Sequence, residues 1–475
     1  MSERQAGDMT DAGVALEPVH RLVGMIDRGE TTPVEIVEAC LERVARHDGK
    51  LHAYVEVYEK DARAAAEAAA RAIAHGHRVG PLHGIPVAVK DLVEISGRIT
   101  TGGCGAWLER RSGFTATLVD RMVGAGMIVL GKTHTVQFAM GGWGTNTQLG
   151  TPWNPWDLEV HRTPGGSSAG SGVAVAAGLA PWAIGTDTGG SVRLPSGWCG
   201  LAGLKTTIGR VSTHGVMPLA ATLDTPGPMA RTVEDAALLL DVLQGADPKD
   251  PRTRGVADCD PFRDLKRGVK GLRVAVMPES ERAGVDAEVL AAFDASLALL
   301  AELGAEVETL SGLPITFADF AVRTGTIIYA EGYSEVGDLC DRTDIPLDED
   351  VRPRILAGKR VSARAYLDAL KEKEAVKRAF SEVLDGFDAL ATPTIATAAI
   401  PLSDVDQGGT PAGFTRAVNL LDRCAITVPN GVTGEGLPTG LQLVCKAYEE
   451  PTALRLGWAY EQATDWHRRR PAGLD

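Results

Sequence analysis

The spacing of apolar positions along the chain switches repeatedly between the three-to-four-residue period of helices and the short continuous runs of buried strands. Thr32-Pro33-Val34-Glu35 has the form of a capping box with proline at the first helical position. The helix it opens carries Ile36, Val37, Cys40, Leu41 and Val44 on one face. Residues 62–74 predict an alanine-rich helix, and 84–90 (GIPVAVK) a short buried strand ending in Lys90. Further helices are predicted over 116–123, 168–177, 233–243, 286–303 and 363–384. Strands are predicted over 127–130, 182–184, 201–204, 272–277, 306–310, 389–391, 426–429 and 441–445. Such alternation implies an α/β protein built around a largely buried sheet.

A chain of 475 residues exceeds an average domain, but a large α/β fold can hold it in one core. Residues 244–271, rich in Asp, Pro, Arg and Gly, read as either a linker or a long surface loop. Glycines crowd between 102 and 215, where many close backbone approaches are expected.

Composition narrows the class without naming it. The hydrophobic fraction of 44% and charged fraction of 23% exclude disorder as the default. A net charge of −14 argues against nucleic acid or an anionic membrane as the main partner. The basic run at 467–470 reads as a solvated tail. Seven scattered cysteines, an odd number with no CxxC, point to a reducing compartment without structural zinc. The opening segment 1–13 is polar and acidic, unlike a secretion signal, and the longest apolar stretch, 172–185, is too short to cross a bilayer. A cytoplasmic protein is expected.

Two motif matches fail on physical grounds. Residues 126–133 (GMIVLGKT) fit the phosphate-binding loop pattern. That loop must aim free N–H groups at phosphate, whereas Met127 to Leu130 read as a strand whose N–H groups are already paired. Residues 166–170 (GSSAG) fit the nucleophile elbow of α/β-hydrolases, with Ser168 at its centre. An elbow needs a hydrophobic strand upstream, and His161-Arg162-Thr163-Pro164-Gly165 is a loop. The ten histidines form no metal-ligand cluster, and neither His214 nor His467 has a persuasive catalytic setting.

Three other segments carry chemistry. A lysine that ends an apolar strand is either exposed and protonated or buried and partly neutral. A pKa drop of about three units would correspond to roughly 4 kcal/mol. Asp91 follows directly, and strand alternation should turn it away from Lys90. The run 164–172 (PGGSSAGSG) enters a small-residue apolar helix, so it reads as a hydroxyl- and N–H-rich helix terminus rather than a flexible linker. The run 185–193 (GTDTGGSVR) follows a strand, and its consecutive glycines suit either an oxyanion hole beside Ser191 or a tight turn.

Together these segments resemble the amidase signature family. The likeness runs from about Thr31 through Val211, strongest over 163–210, and includes GIPVAVKDL, GKTHTVQFAMG, PGGSSAGSGVAVAAG and GTDTGGSVRLPSGWCGLAGLK. It implies a single large fold over 1–475, with a central mixed twisted sheet covered by helices on both faces. The catalytic core would span about 80–215, and 272–475 would border the substrate pocket. It also implies a Ser–Ser–Lys triad of Ser191 as nucleophile, Ser167 as relay and Lys90 as base, with a cis peptide bond entering Ser167. Backbone N–H groups of Thr188, Gly189, Gly190 and Ser191 would form the oxyanion hole, supported by Ser168, Asp187 and Arg193. Phe138, Met140, Gly141, Trp143 and Phe414 would border the acyl pocket. No cofactor or metal is implied, and a homodimer is possible.

The resemblance leaves the substrate open among carboxamides, anilides and acyl hydrazides. A stand-alone amidase is the first expectation. The alternative is the glutamine-hydrolysing A subunit of a tRNA-dependent amidotransferase, in which Arg354 fits an arginine that holds the glutamine carboxylate. The aspartate expected for the glutamine ammonium shortly before Val418 is missing from 411–417 (PAGFTRA), and Asp404 and Asp406 lie further off. A non-catalytic binding module is the alternative from another class, and joint retention of Lys90, Ser167 and Ser191 argues against it.

Overall fold

Eleven strands carry the alternating pattern into one mixed sheet in this computed structural model. Residues 11–474 are described. Of the polar opening segment, residues 1–10 lie outside them. In chain order the strands are β1 (Tyr54–Val57), β2 (Pro86–Lys90), β3 (Ile128–Thr133), β4 (Trp182–Asp187), β5 (Ala202–Lys205) and β6 (Thr225–Ala230). They continue with β7 (Arg273–Val276), β8 (Glu306–Thr309), β9 (Ala389–Pro393), β10 (Cys424–Val432) and β11 (Pro438–Cys445). Across the sheet they lie β1-β3-β2-β4-β6-β5-β10-β11-β9-β7-β8. The β3-β2-β4 trio is parallel. From β4 to β9 each neighbour is antiparallel. The β9-β7-β8 edge is parallel again. This is the mixed α/β sheet that the sequence predicts.

Local chemistry sets the elements as expected in most places. The Thr32 side chain accepts from the Glu35 N–H at 3.2 Å while the Glu35 carboxylate accepts from the Thr32 N–H at 2.7 Å, opening the helix Pro33–Leu51. The helices Ala169–Ala176 and Arg193–Cys199 are buried at every position; most of their side chains are small or apolar, and Arg193 is buried against the carboxylate of Asp187. Within 126–133, residues Ile128–Thr133 form a strand where the sequence predicts one over 127–130, with the helix Thr117–Gly124 before it. Segment 244–271 behaves as a surface loop: Asp247 accepts from the Thr117 and Ser212 hydroxyls, both at 2.6 Å. Strands from either side of that loop share the one sheet.

Several elements escape the pattern, among them β1 and the helices Val19–Asp27 and Glu450–Gln462, and two others show why. β6 is Thr-Pro-Gly-Pro-Met-Ala, which reads as a turn, yet it lies inside the sheet. Thr186 of β4 gives its N–H to the Ser168 hydroxyl and accepts that hydroxyl's proton at its C=O, both at 3.3 Å. Its sheet partner Pro226 therefore sits where the β4–β6 ladder needs no N–H. The 25-residue helix Phe317–Asp341 escapes the apolar periodicity because Gly325, Gly332 and Gly337 interrupt it. A Cβ on Gly332 would come within 3.1 Å of Met140 and 3.2 Å of Leu219, so tertiary packing overrides propensity.

Backbone proximity gives a stability test. A Cβ on Gly170 would lie 2.2 Å from the Ala53 carbonyl oxygen and 2.4 Å from the His134 nitrogen, both backbone atoms that cannot swing aside. Gly170→Ala should destabilise the fold by about 1–3 kcal/mol. Gly49→Ala, in a helix position with open space around it, should instead be neutral or stabilising by up to about 1 kcal/mol. Urea unfolding of the two variants beside the parent protein checks the contrast.

Candidate active site

Lys90 ends β2 and is fully buried. Its amine donates to the Ser167 Oγ and to the Thr186 Oγ1, each at 2.8 Å. Burial lowers its pKa to about 7, against the opposing charges of Asp187 and Asp224. Asp91 turns to the opposite side, as strand alternation requires, and accepts from the Lys132 amine at 2.6 Å. Lys132 is the lysine of the phosphate-loop pattern, and a buried ion pair engages it.

Ser167 follows a cis peptide bond from Gly166. Its carbonyl accepts from the Val136 N–H at 3.2 Å and from the Thr135 hydroxyl at 3.0 Å, which pins the chain at this residue. Ser168 does different work. Its N–H donates to the Ser191 carbonyl at 3.3 Å, and its buried hydroxyl bonds the backbone of Thr186. It joins three chain segments and does not present a free nucleophile.

The loop carrying Ser191 is shaped by one buried ion pair. Asp187, at the end of β4, accepts from Arg193 Nε at 3.0 Å and Nη2 at 2.8 Å, and both side chains are fully buried. The same carboxylate accepts from the N–H groups of Gly190 at 2.8 Å and Val192 at 3.1 Å, and from Asn419 Nδ2 at 2.9 Å. Burial alone would raise this carboxyl, but the Arg193 charge and hydrogen bonds outweigh it and hold it well below the usual carboxylate range. Arg193 also donates to the Thr415 carbonyl at 2.9 Å, Gln442 Oε1 at 2.6 Å and Asn419 Oδ1 at 2.7 Å. Gly190 has φ 133°, and a Cβ there would sit 2.3 Å from the Thr415 hydroxyl.

Ser191, 7% exposed, opens onto a cleft of about 810 Å³ that Thr188, Gly189, Met140 and Gly141 also line. These five are among the residues the sequence places at the site, and others expected there lie elsewhere. Phe138 packs edge-on against Trp107 at 5.2 Å, Trp143 stacks on Trp198 at 5.6 Å, and Phe414 meets Phe317 at 5.1 Å. None of the three lines the cleft, because each aromatic ring finds an apolar partner in the core. Gly190 also needs correcting, since its N–H is engaged by Asp187 and is not free for an oxyanion.

Several contributors have no motif of their own. Thr186 is the second partner of Lys90 and lies one residue before Asp187. Asp224 accepts from the Thr188 hydroxyl and from the N–H groups of Leu219 at 2.8 Å and Ala220 at 3.0 Å, tying the Ser191 loop to the next turn. Asn419 and Gln442 arrive from more than two hundred residues downstream, so spacing cannot reveal them. Arg354 and Arg416 both line the cleft.

The chain has known counterparts. A family model described as Amidase matches residues 35–454. The A subunit of the glutamyl-tRNA(Gln) amidotransferase of Chloroflexus aggregans is 36% identical over 93% of this chain and 95% of its own length. The structure of its Thermotoga maritima counterpart superposes with a TM-score of 0.81 at 31% identity, covering 96% of both chains. The peptide amidase of Stenotrophomonas maltophilia gives 0.84 at 30% identity, covering 96% of this chain and 98% of the other. A match across nearly the whole sequence, joined to the same sheet-and-helix frame, leaves one assignment: the chain belongs to the amidase signature family.

Proposed function

We propose that this protein hydrolyses the C–N bond of an amide through a seryl acyl-enzyme, with Ser191 as nucleophile, Ser167 as relay and Lys90 as base. The observation that carries the reading is the 2.8 Å contact from the Lys90 amine to Ser167, made by a buried lysine whose pKa falls to about 7. A neutral amine takes a proton from Ser167 as Ser167 takes one from Ser191. Ser191 Oγ then bonds to the carbonyl carbon. The N–H groups of Gly189 and Ser191, beside Thr188, would face the resulting oxyanion. The proton returns through Ser167 to the leaving nitrogen, the C–N bond breaks, and water releases the acid.

Two acyl donors compete. The named relatives weigh towards glutamine within an amidotransferase, and full-length similarity supports that reading more than motif content alone does. Arg354 lines the cleft, as a glutamine carboxylate would need. Against it, segment 411–417 holds no acid, and its Ala412 lines the cleft. The peptide amidase neighbour supports a free-standing enzyme. Purified protein should hydrolyse at least one simple amide or hydrazide without partner subunits or tRNA. Turnover restricted to glutamine, and only with partner subunits added, would move the assignment to the amidotransferase.

The triad makes distinct demands on each serine. Ser191→Ala should lose activity by about 10³-fold or more while folding normally. Ser167→Ala should be comparably impaired, and Ser168→Ala should lose stability more than turnover, because its hydroxyl holds β4. Steady-state rates with thermal melts separate these outcomes, and the opposite order for Ser167 and Ser168 would restore the nucleophile-elbow reading. In the parent protein kcat/KM should rise with pH through a limb near 7, because below it Lys90 is an ammonium and cannot accept a proton. Lys90→Arg should not restore activity, since guanidinium stays protonated.

A further inference from the structure

We infer that Asp224 is a positioning residue of the site: its carboxylate is the fixed countercharge that sets how strong a base Lys90 is. This role deepens the proposed hydrolase reading and rests on it. Asp224 stands one residue before β6 and is buried. Its side chain lines one small internal cavity together with Thr186 and Thr188. Thr186 accepts from the Lys90 amine at 2.8 Å, and Thr188 donates its hydroxyl to Asp224. The cavity measures about 10 Å³ and has Ala139, Thr188 and Leu219 in common with the cleft. Such a space has room for about one water, so charges around it are poorly screened.

Asp224 differs from Asp187 in its partners. Asp187 also acts on Lys90, and more strongly, but the buried Arg193 guanidinium accompanies it. Asp224 has no ion-pair partner among the described residues and is held by the N–H groups of Leu219 at 2.8 Å and Ala220 at 3.0 Å and by the Thr188 hydroxyl. Burial raises its pKa to about 6 against those three hydrogen bonds, with the Glu331 charge adding to the rise. Above that pH it is an anion. The other charges nearby are engaged. Asp91 and Lys132 bond each other, and the helix Ala169–Ala176, packed on β2, carries no charge. Glu331, on the helix Phe317–Asp341, accepts from the Thr222 N–H at 3.1 Å and the Tyr366 hydroxyl at 2.8 Å. Lys373 pairs with Asp422 at 2.7 Å, and Asp250, which accepts from the Thr213 hydroxyl at the cavity wall, pairs with Arg252 at 3.0 Å.

The proposed chemistry has a use for such a charge. Burial alone makes Lys90 neutral but also a weak base, since an ammonium formed in a dry site is costly. As Ser191 attacks, one proton passes from Ser191 to Ser167 and one from Ser167 to Lys90. The amine becomes a cation while the carbonyl oxygen becomes an anion. An anionic Asp224 stabilises that cation without bonding it, so the amine stays free to return the proton.

The test is reciprocal, because a coupling between two groups acts equally on both. Asp224→Asn should move the limb of kcat/KM to lower pH by about half a unit or more, and lower the plateau above it about threefold. A side chain that only held the Ser191 loop would, on removal, cost rate and leave the limb in place. In the other direction, Lys90→Met should raise the midpoint of the Asp224 carboxyl by a similar amount, followed by carbon NMR in aspartate-labelled protein. If Asp224→Asn does not fold, this second titration decides alone. A limb unmoved in folded Asp224→Asn, or an Asp224 midpoint unmoved in Lys90→Met, would overturn the inference. A midpoint that moves, in a protein whose parent form turns over no amide, would uphold the countercharge and sink the hydrolase reading instead.

Discussion

Desolvation of one amine governs this site. Lys90 sits at the end of an all-buried strand, and no carboxylate among the described residues bonds it directly. In water its ammonium would persist far above neutral pH and could not serve as a base. The fold excludes water by packing the all-buried helix Ala169–Ala176 against its strand. It also turns Asp91 to the far side, onto Lys132. The two carboxylates that do act on Lys90 are occupied: Asp187 by Arg193, Asp224 by Thr188 and two backbone N–H groups. Each pulls the amine back towards its charged form, and burial outweighs both.

The Asp187–Arg193 pair solves a second problem, that of holding a glycine-rich loop in one shape. Consecutive glycines lose more conformational entropy on ordering than other residues. Here that cost is met by a network in which one carboxylate fixes Gly190 and Val192, and one guanidinium reaches Thr415, Asn419 and Gln442. Removing either partner would strand a buried charge, at about 3–5 kcal/mol. The helix Thr415–Leu420 is thus positioned by the same ion pair that shapes the Ser191 loop.

Much of this was legible in the sequence, for stated reasons. Helix and strand alternation, the Thr32 capping box, the Lys90 strand and the two serine segments all express short-range rules of period, capping and local composition. What escaped has long-range causes. β6 reads as a turn because its prolines lack N–H groups, and only the Thr186–Ser168 contacts show that the ladder does not need one at Pro226. The helix Phe317–Asp341 is interrupted by glycines that exist for close packing. Phe138, Trp143 and Phe414 look like pocket residues because aromatic side chains suit pockets and cores alike.

The ionisation of Lys90 is the central claim, and NMR can observe it directly. Enzyme labelled with 15N and 13C at lysine side chains would be titrated, and the Lys90 signal assigned by its loss in Lys90→Ala. A midpoint near 7 is the expected result. A Lys90 amine that stays protonated to pH 10 or above would contradict the account, because the buried strand would then hold an ammonium and the base would have to be sought elsewhere.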